Sequence, residues 1–317
     1  MKHVLLTGAN GFVGKVMRAY LHEAGHRVTC TVSSGSLLQD SVEHVCLDIR
    51  DMAAVGLVVQ RVRPTHVLHL AAISHVPTSF RDPLLTWQTN VMGSLNLLEA
   101  VKRHVPEAFV LFASSSEVYG EAFKVGEPLD ESSTCQPMNP YAASKLATEL
   151  AFLQYFRQGL RGVIARPFNH IGPGQLPDFV TASFAKQIAE IEHGLQPPVL
   201  QVGNLEACRD FLDVRDVCDA YMKLLDLADQ PADQRVFNVA SGQARRIQEV
   251  LDELLAQSSL PIVVEQDPQR LRPSDIPFAV GDCRRLQAAT GWRPAHALGE
   301  TLGELLAYWR EKAVDAR

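Results

Sequence analysis

Tyr141 and Lys145 stand four residues apart in the run Tyr-Ala-Ala-Ser-Lys. On a helix that spacing sets a phenol and an amine on one face, one turn apart. A free tyrosine titrates near ~10 and is a weak acid–base catalyst at neutral pH. A neighbouring ammonium favours phenolate, so the pairing predicts a phenol drawn down toward the working range. A hydroxyl must still hold the substrate oxygen, and Ser114-Ser115-Ser116-Glu117-Val118-Tyr119-Gly120 supplies one upstream. Such a pair alone is two unrelated side chains by default. It gains meaning only beside a dinucleotide-binding turn.

That turn opens the chain. Val4-Leu5-Leu6 reads as a short buried strand running into Thr7-Gly8-Ala9-Asn10-Gly11-Phe12-Val13-Gly14, with a helix following to about Ala24. Three glycines between a strand and a helix let backbone N–H groups and a helix N-terminus meet a pyrophosphate. A nucleoside-triphosphatase loop is rejected, because Ala9 and Val16 occupy positions that would need Gly and Ser or Thr.

The bulk numbers set the frame. The chain has 317 residues, 46% of them hydrophobic, enough for one large α/β unit or two lobes. Thirty basic and 36 acidic residues leave a net charge of −6, and no basic block points to nucleic acid. No run of eighteen apolar residues predicts a membrane span. The apolar start before Gly8 is too short for a signal peptide. Cysteines 30, 46, 135, 208, 218 and 283 are scattered, which predicts reduced thiols in a cytoplasmic protein. No Cys/His spacing predicts a metal, and His66 and His69 read as packing residues of a strand.

Further strands are expected at Arg27–Val32, Val45–Ile49, His66–Leu70, Phe109–Ala113, Val163–Ala165 and Val236–Val239. The second ends in Thr31-Val32-Ser33-Ser34, with no acid before Asp40. An acid there would bind the adenosine ribose and repel a 2′-phosphate, so its absence predicts NADP(H), or use of both NADP(H) and NAD(H). Asp48 is an expected adenine contact, with Ile49 beside it, and Asp51 an expected helix cap. Leu70-Ala71-Ala72 passes under the cofactor, and Ser74-His75 follows at the carboxyl edge, where ligands of open α/β sheets bind. Asp82-Pro83 reads as a helix start. Leu84 to Val101 is apolar at helical spacing. That segment and the apolar-all-round helix of Tyr141 form either a dimer surface or a deep intramolecular layer.

Beyond residue 165 prolines multiply, which predicts a crossover into a smaller lobe. Helices are expected at Phe179–His193, Val214–Leu227, Ile247–Leu255 and Leu298–Trp309, with Arg209–Asp213 returning to the main body and a loop at Leu271–Asp275. The expected architecture is α/β: a Rossmann-like doubly wound parallel sheet with a smaller C-terminal substrate-binding lobe. Residues 1–166 form the cofactor domain, rejoined by 209–245. Residues 167–208 and 246–317 form the lobe.

Together the glycine turn, the serine run, Tyr141-x-x-x-Lys145, Arg166-Pro-Phe-Asn169 and Arg209-Asp-Phe-x-x-Val-x-Asp resemble the extended short-chain dehydrogenase/reductases that modify nucleotide sugars. The match runs in order through the whole chain. Segments 166–175, 202–216 and 271–277 resemble the branch that reduces the C4 ketone of GDP-4-dehydro-6-deoxy-D-mannose to GDP-D-rhamnose.

The resemblance implies Ser115, Tyr141 and Lys145 as catalytic residues. It implies cofactor contacts from Gly8, Asn10, Gly11, Phe12, Val13 and Gly14, then Ser33, Asp48, Ile49, Leu70, Ala71 and Ala72, with Tyr141 and Lys145. His75, Ser115, Ser116, Glu117, Asn169, Arg209, Arg272 and Asp275 are the implied substrate contacts. Arg209 and Arg272 suit a pyrophosphate, because guanidinium groups bind phosphate oxygens bidentately. The implied partner is a GDP-linked 4-keto-6-deoxy sugar, and the implied assembly a homodimer.

Glu117 departs from this picture, since related dehydratases use an acid there to expel water from the sugar. A GDP-mannose 4,6-dehydratase, a nucleotide-sugar 4-epimerase and a non-enzymatic cofactor sensor are the competing readings.

Overall fold

A computed structural model describes residues 1–33, 43–229, 234–270 and 276–315. The first half alternates strands and helices: β1 (His3–Thr7), α1 (Phe12–Glu23), β2 (Arg27–Val32), β3 (Glu43–Cys46), α2 (Met52–Val62), β4 (His66–His69), α3 (Val76–Arg81), α4 (Pro83–Trp87), α5 (Gly93–His104), β5 (Phe109–Ala113), α6 (Pro140–Arg157) and β6 (Arg161–Pro167). The second half contributes β7 (Asn169–Ile171), α7 (Val180–Glu192), β8 (Val199–Val202), β9 (Cys208–Arg209), β10 (Phe211–Asp213), α8 (Val214–Leu225), β11 (Val236–Val239), β12 (Arg245–Arg246), α9 (Ile247–Leu255), β13 (Val263–Gln266), β14 (Phe278–Ala279), α10 (Arg284–Thr290) and α11 (Leu298–Asp315).

Seven strands form one parallel sheet in the order β11-β6-β5-β4-β1-β2-β3. The order reverses beside β1, which creates the crevice where doubly wound sheets bind ligands. Continuous apolar strands such as Phe109–Ala113 are buried throughout, as strands covered on both faces must be. One face packs against α1 and α8, through Met17, Leu21, Val217 and Tyr221. The other packs against α2, α5 and α6, through Val55, Val59, Leu98, Phe152 and Phe156. A third core joins α7, α9 and α11 around Phe184, Ile188, Leu251 and Leu305 and belongs to the smaller lobe. Leu286 and Trp292, beyond β14, pack into the first core.

Three expectations change, on the third strand, the Leu84–Val101 segment and the last helix. The third strand stops at Cys46, and Leu47 makes only one further ladder bond, to Val32. The Leu84–Val101 pattern is not one regular helix. Residues Gln88–Met92 form a π-helical turn between α4 and α5. The extra residue of that turn lets the Asn90 carbonyl accept from Ser94 and Thr148 side chains. Short strands flank the seven-stranded sheet: Cys208–Arg209 pairs with β12 and β14, and Phe211–Asp213 with β7. The last helix runs six residues past Trp309.

Asp51 and Asp82 cap α2 and α4 as expected, accepting from Ala54 and Leu85 N–H at 3.0 Å each. Arg272 and Asp275 lie outside the described residues, as does the whole stretch 271–275 expected as a loop.

Candidate active site

A cavity of 1850 Å³ opens at the carboxyl edge of the sheet and runs into the smaller lobe. Gly8, Asn10, Gly11, Phe12, Val13 and Gly14 of the glycine turn line it, as do Ser33, Asp48, Ile49 and Leu70–Ala72. Ser115, Ser116, Glu117, Tyr141 and Lys145 line its centre, with His75 at one side. Asn169 and Arg209 line the end that faces the lobe. Every expected contact among the described residues therefore borders one space, although their sequence positions span 200 residues.

The glycine turn fits a dinucleotide on steric grounds. Gly8 has φ +72°, and a Cβ on it would lie 2.8 Å from the Ala71 nitrogen. A Cβ on Gly14 would lie 2.2 Å from the Gly8 carbonyl oxygen. Backbone thus approaches backbone where no side chain can stand. Gly11 precedes α1, and neither a side-chain cap nor an acid occupies its first turn. Its leading N–H groups are left facing a space suited to an anion.

Asp48 is held by Arg50, whose guanidinium bonds its carboxylate at 2.6–3.0 Å. An arginine therefore stands beside Asp48 in the cavity lining. Thr31, Val32 and Ser33 bring no acid to it.

The helix that carries Tyr141 and Lys145 is built by its own start. Asn139 caps α6, accepting from the Ala142 N–H at 2.8 Å, and Pro140 takes the first helical position. The same Asn139 amide donates to the Glu117 carboxylate at 3.0 Å. Ser115 accepts from the Glu117 N–H at 3.2 Å, and its hydroxyl lies near the Tyr141 phenol. The Lys145 ammonium donates to the Ala113 carbonyl at 2.7 Å, 4.8 Å above the centre of the Phe112 ring. Ser114 also lines the cavity, and its buried hydroxyl has no partner.

The electrostatics depart from the expected lowered phenol. Burial pushes the Tyr141 phenol up to about 12, the Ser115 hydroxyl opposing and the nearby Glu117 carboxylate adding to the rise. Burial pulls the Lys145 ammonium down to about 7, and Glu149 opposes that fall. Desolvation dominates both shifts because both groups are buried, 7% and 3% exposed. A spacing of four residues shows adjacency but not depth.

Several positioning residues escape a sequence reading. Thr7 Oγ accepts the Leu70 and Ala71 N–H groups at 3.1 Å each, which leaves its own proton for His69 Nδ1 at 2.7 Å. His69 Nε2 then donates to Ser94 at 2.8 Å. Burial holds this imidazole down at about 3, with Lys145 contributing, so it stays neutral. Asn90 bonds both the N–H and the carbonyl of Ile73 and donates to Ser144, which in turn donates to the Tyr141 carbonyl. One buried chain of hydrogen bonds thus joins the glycine turn to the helix of Tyr141 and Lys145. Its bonds between elements link residues 17 to 64 apart, so no local motif marks them.

At the lobe end, Arg209 spends one guanidinium nitrogen on the Cys208 and Ile276 carbonyls, at 2.9 and 2.7 Å. Asn169 donates to the Asp210 carbonyl at 3.2 Å. His75 bonds Thr78 and meets the Phe179 ring edge-on across the cavity, 6.3 Å between centroids.

A family model described as GDP-mannose 4,6 dehydratase matches residues 5–305. The chain is 39% identical over 312 residues to the GDP-6-deoxy-D-mannose reductase of Pseudomonas aeruginosa, covering 98% of both. It is 28% identical to the human GDP-mannose 4,6 dehydratase, over 95% of this chain and 90% of that one. The solved structure of RMD from Pseudomonas aeruginosa complexed with NADPH superimposes with a TM-score of 0.85 at 38% identity, covering 98% of this chain and all of that one. With the cavity geometry, these likenesses place the chain in the GDP-mannose 4,6-dehydratase family, within the extended short-chain dehydrogenase/reductases.

Proposed function

We propose that this enzyme reduces the C4 ketone of GDP-4-dehydro-6-deoxy-D-mannose with NADPH, giving GDP-D-rhamnose. The observation that carries the reading is the meeting of Ser115, Tyr141 and Lys145 with the glycine turn in one cavity that continues to the lobe. When bound, the reduced nicotinamide supplies the hydride. Ser115 holds the ketone oxygen. Tyr141 gives that oxygen its proton, and its high phenol pKa keeps the proton in place until the oxygen becomes basic. Lys145 stabilises the phenolate left behind and binds the nicotinamide ribose. Asn169 and Arg209 receive the sugar nucleotide, and Arg272 and Asp275 complete that contact. Orientation within the cavity accounts for much of the rate.

The absence of an acid at Thr31–Ser33, and Arg50 beside Asp48, support NADP(H), with NAD(H) the weaker cofactor. We divide the chain into a cofactor domain, 1–166 with 209–245, and a sugar-nucleotide lobe, 167–208 with 246–317. Phe80, Leu84, Trp87, Met92 and Leu150 are exposed on α3, α4, the π turn and α6, which supports a homodimer through that face. Among the described residues no helix is long and apolar enough to cross a membrane, and all six cysteines are free, which suits the cytoplasm.

Glu117 favours a second reading, since its carboxylate lines the cavity and is fixed by Asn139. A dehydratase would place it as a base. Purified protein is to be given the GDP-keto sugar with NADPH, or GDP-mannose alone. Consumption of NADPH with GDP-D-rhamnose as product supports the reductase. Formation of keto sugar from GDP-mannose without NADPH consumption supports the dehydratase and overturns the reductase.

A further inference from the structure

The mechanism leaves one buried pair of charges unused. Glu149 lies on α6 one turn beyond Lys145, and is 1% exposed. Arg166, from the end of β6, is 5% exposed and grips the Glu149 carboxylate with two nitrogens, at 2.6 and 3.0 Å. Its guanidinium also lies over the Tyr119 ring, 4.8 Å from the centre, and Tyr119 in turn donates to Asn238 at 2.7 Å. Arg166 Nη1 has no hydrogen-bond partner.

A buried ion pair is weak evidence of a stability device, because desolvation offsets the attraction. This one is not even saturated. What distinguishes it is its position under a lysine that is itself 3% exposed. A fully buried amine tends to lose its proton, and a carboxylate one turn away is the remedy on the same helix. The other charged and titratable groups around Lys145 do not supply it. Tyr141 on its own helix and His69 on β4 are neutral, and Glu117 faces the phenol. Arg166 on β6 is a cation.

We propose that Glu149, pinned by Arg166, is a positioning residue that keeps the Lys145 amine protonated and thereby sets the alkaline limit of activity. Arg166 has one task in this arrangement: it holds the carboxylate in place, so that it does not draw the ammonium off the Ala113 carbonyl. The proposal rests on the role of Lys145 given above.

The test compares native protein with Glu149→Gln and with the double variant Glu149→Gln/Arg166→Met, in which no buried charge is left alone. The Lys145 amine is titrated in the cofactor-free protein by 13C NMR of labelled lysine, assigned with Lys145→Met. The pH profile of kcat is then measured with NADPH. In both variants the lysine pKa and the alkaline limb of kcat are expected to move down together by about one unit or more, the size of a neighbouring-charge effect. The double variant carries the test if the single one does not fold. A folded variant with an unmoved lysine titration, or with the same loss of kcat at every pH, overturns the proposal. Full activity of Lys145→Met would instead overturn the role of the lysine, while the titration still reports on the pair.

Discussion

Asn90→Ala should loosen the link between the Ile73 wall of the cavity and the helix of Tyr141 and Lys145 by an amount that can be counted. The side chain is 2% exposed and makes three hydrogen bonds: to the Ile73 carbonyl at 3.0 Å, from the Ile73 N–H at 2.8 Å and to the Ser144 hydroxyl at 2.9 Å. At about 1 kcal/mol each, their loss costs about 3 kcal/mol. Ser144→Ala removes the shared bond and the bond to the Tyr141 carbonyl, for about 2 kcal/mol. The double variant loses four bonds, not five, so it should fall short of the summed singles by about 1 kcal/mol. Urea unfolding followed by circular dichroism measures all three. Because Ile73 lines the cavity, Asn90→Ala should also weaken NADPH binding, read by fluorescence. A cost below about 1 kcal/mol for Asn90→Ala, or fully additive singles, would refute a connected network.

Tyr141→Phe should lower kcat by about 10²- to 10⁴-fold while leaving NADPH affinity nearly unchanged, and native turnover would remove Tyr141 from the chemistry. Gly14→Ala places a methyl group 2.2 Å from the Gly8 carbonyl oxygen, so both Tm and NADPH affinity should fall, and retention of both would mean the turn yields freely. His69 has a folded pKa below its unfolded value, so between pH 6.5 and 3 the unfolded chain takes up a proton that the native one refuses. Its contribution is therefore present above pH 6.5 and lost as pH falls. His69→Asn should flatten the decline in stability measured between pH 6.5 and 5, and an unchanged slope would contradict a buried neutral imidazole.

What was legible in the sequence is what is local. The glycine turn, the four-residue step from Tyr141 to Lys145, the caps Asp51 and Asp82, and strand Val236–Val239 are each written in a few consecutive residues. Asn90, His69, Glu149 and the grip of Arg166 were not legible, because each acts on a residue from a distant segment. The π-helical turn hid for a related reason: one extra residue per turn barely disturbs an apolar pattern. The phenol of Tyr141 shows the same limit in energy. Its neighbour could be read from spacing, but the burial that raises the phenol is supplied by the rest of the fold.

Protein supplied with GDP-4-dehydro-6-deoxy-D-mannose and NADPH deuterated at the transferring position of its nicotinamide tests the central claim most directly. The account predicts one deuterium at C4 of the sugar, seen by NMR of the isolated product, with Tyr141→Phe forming that product far more slowly. Deuterium elsewhere on the ring, or a sugar that changes without acquiring any, would contradict it.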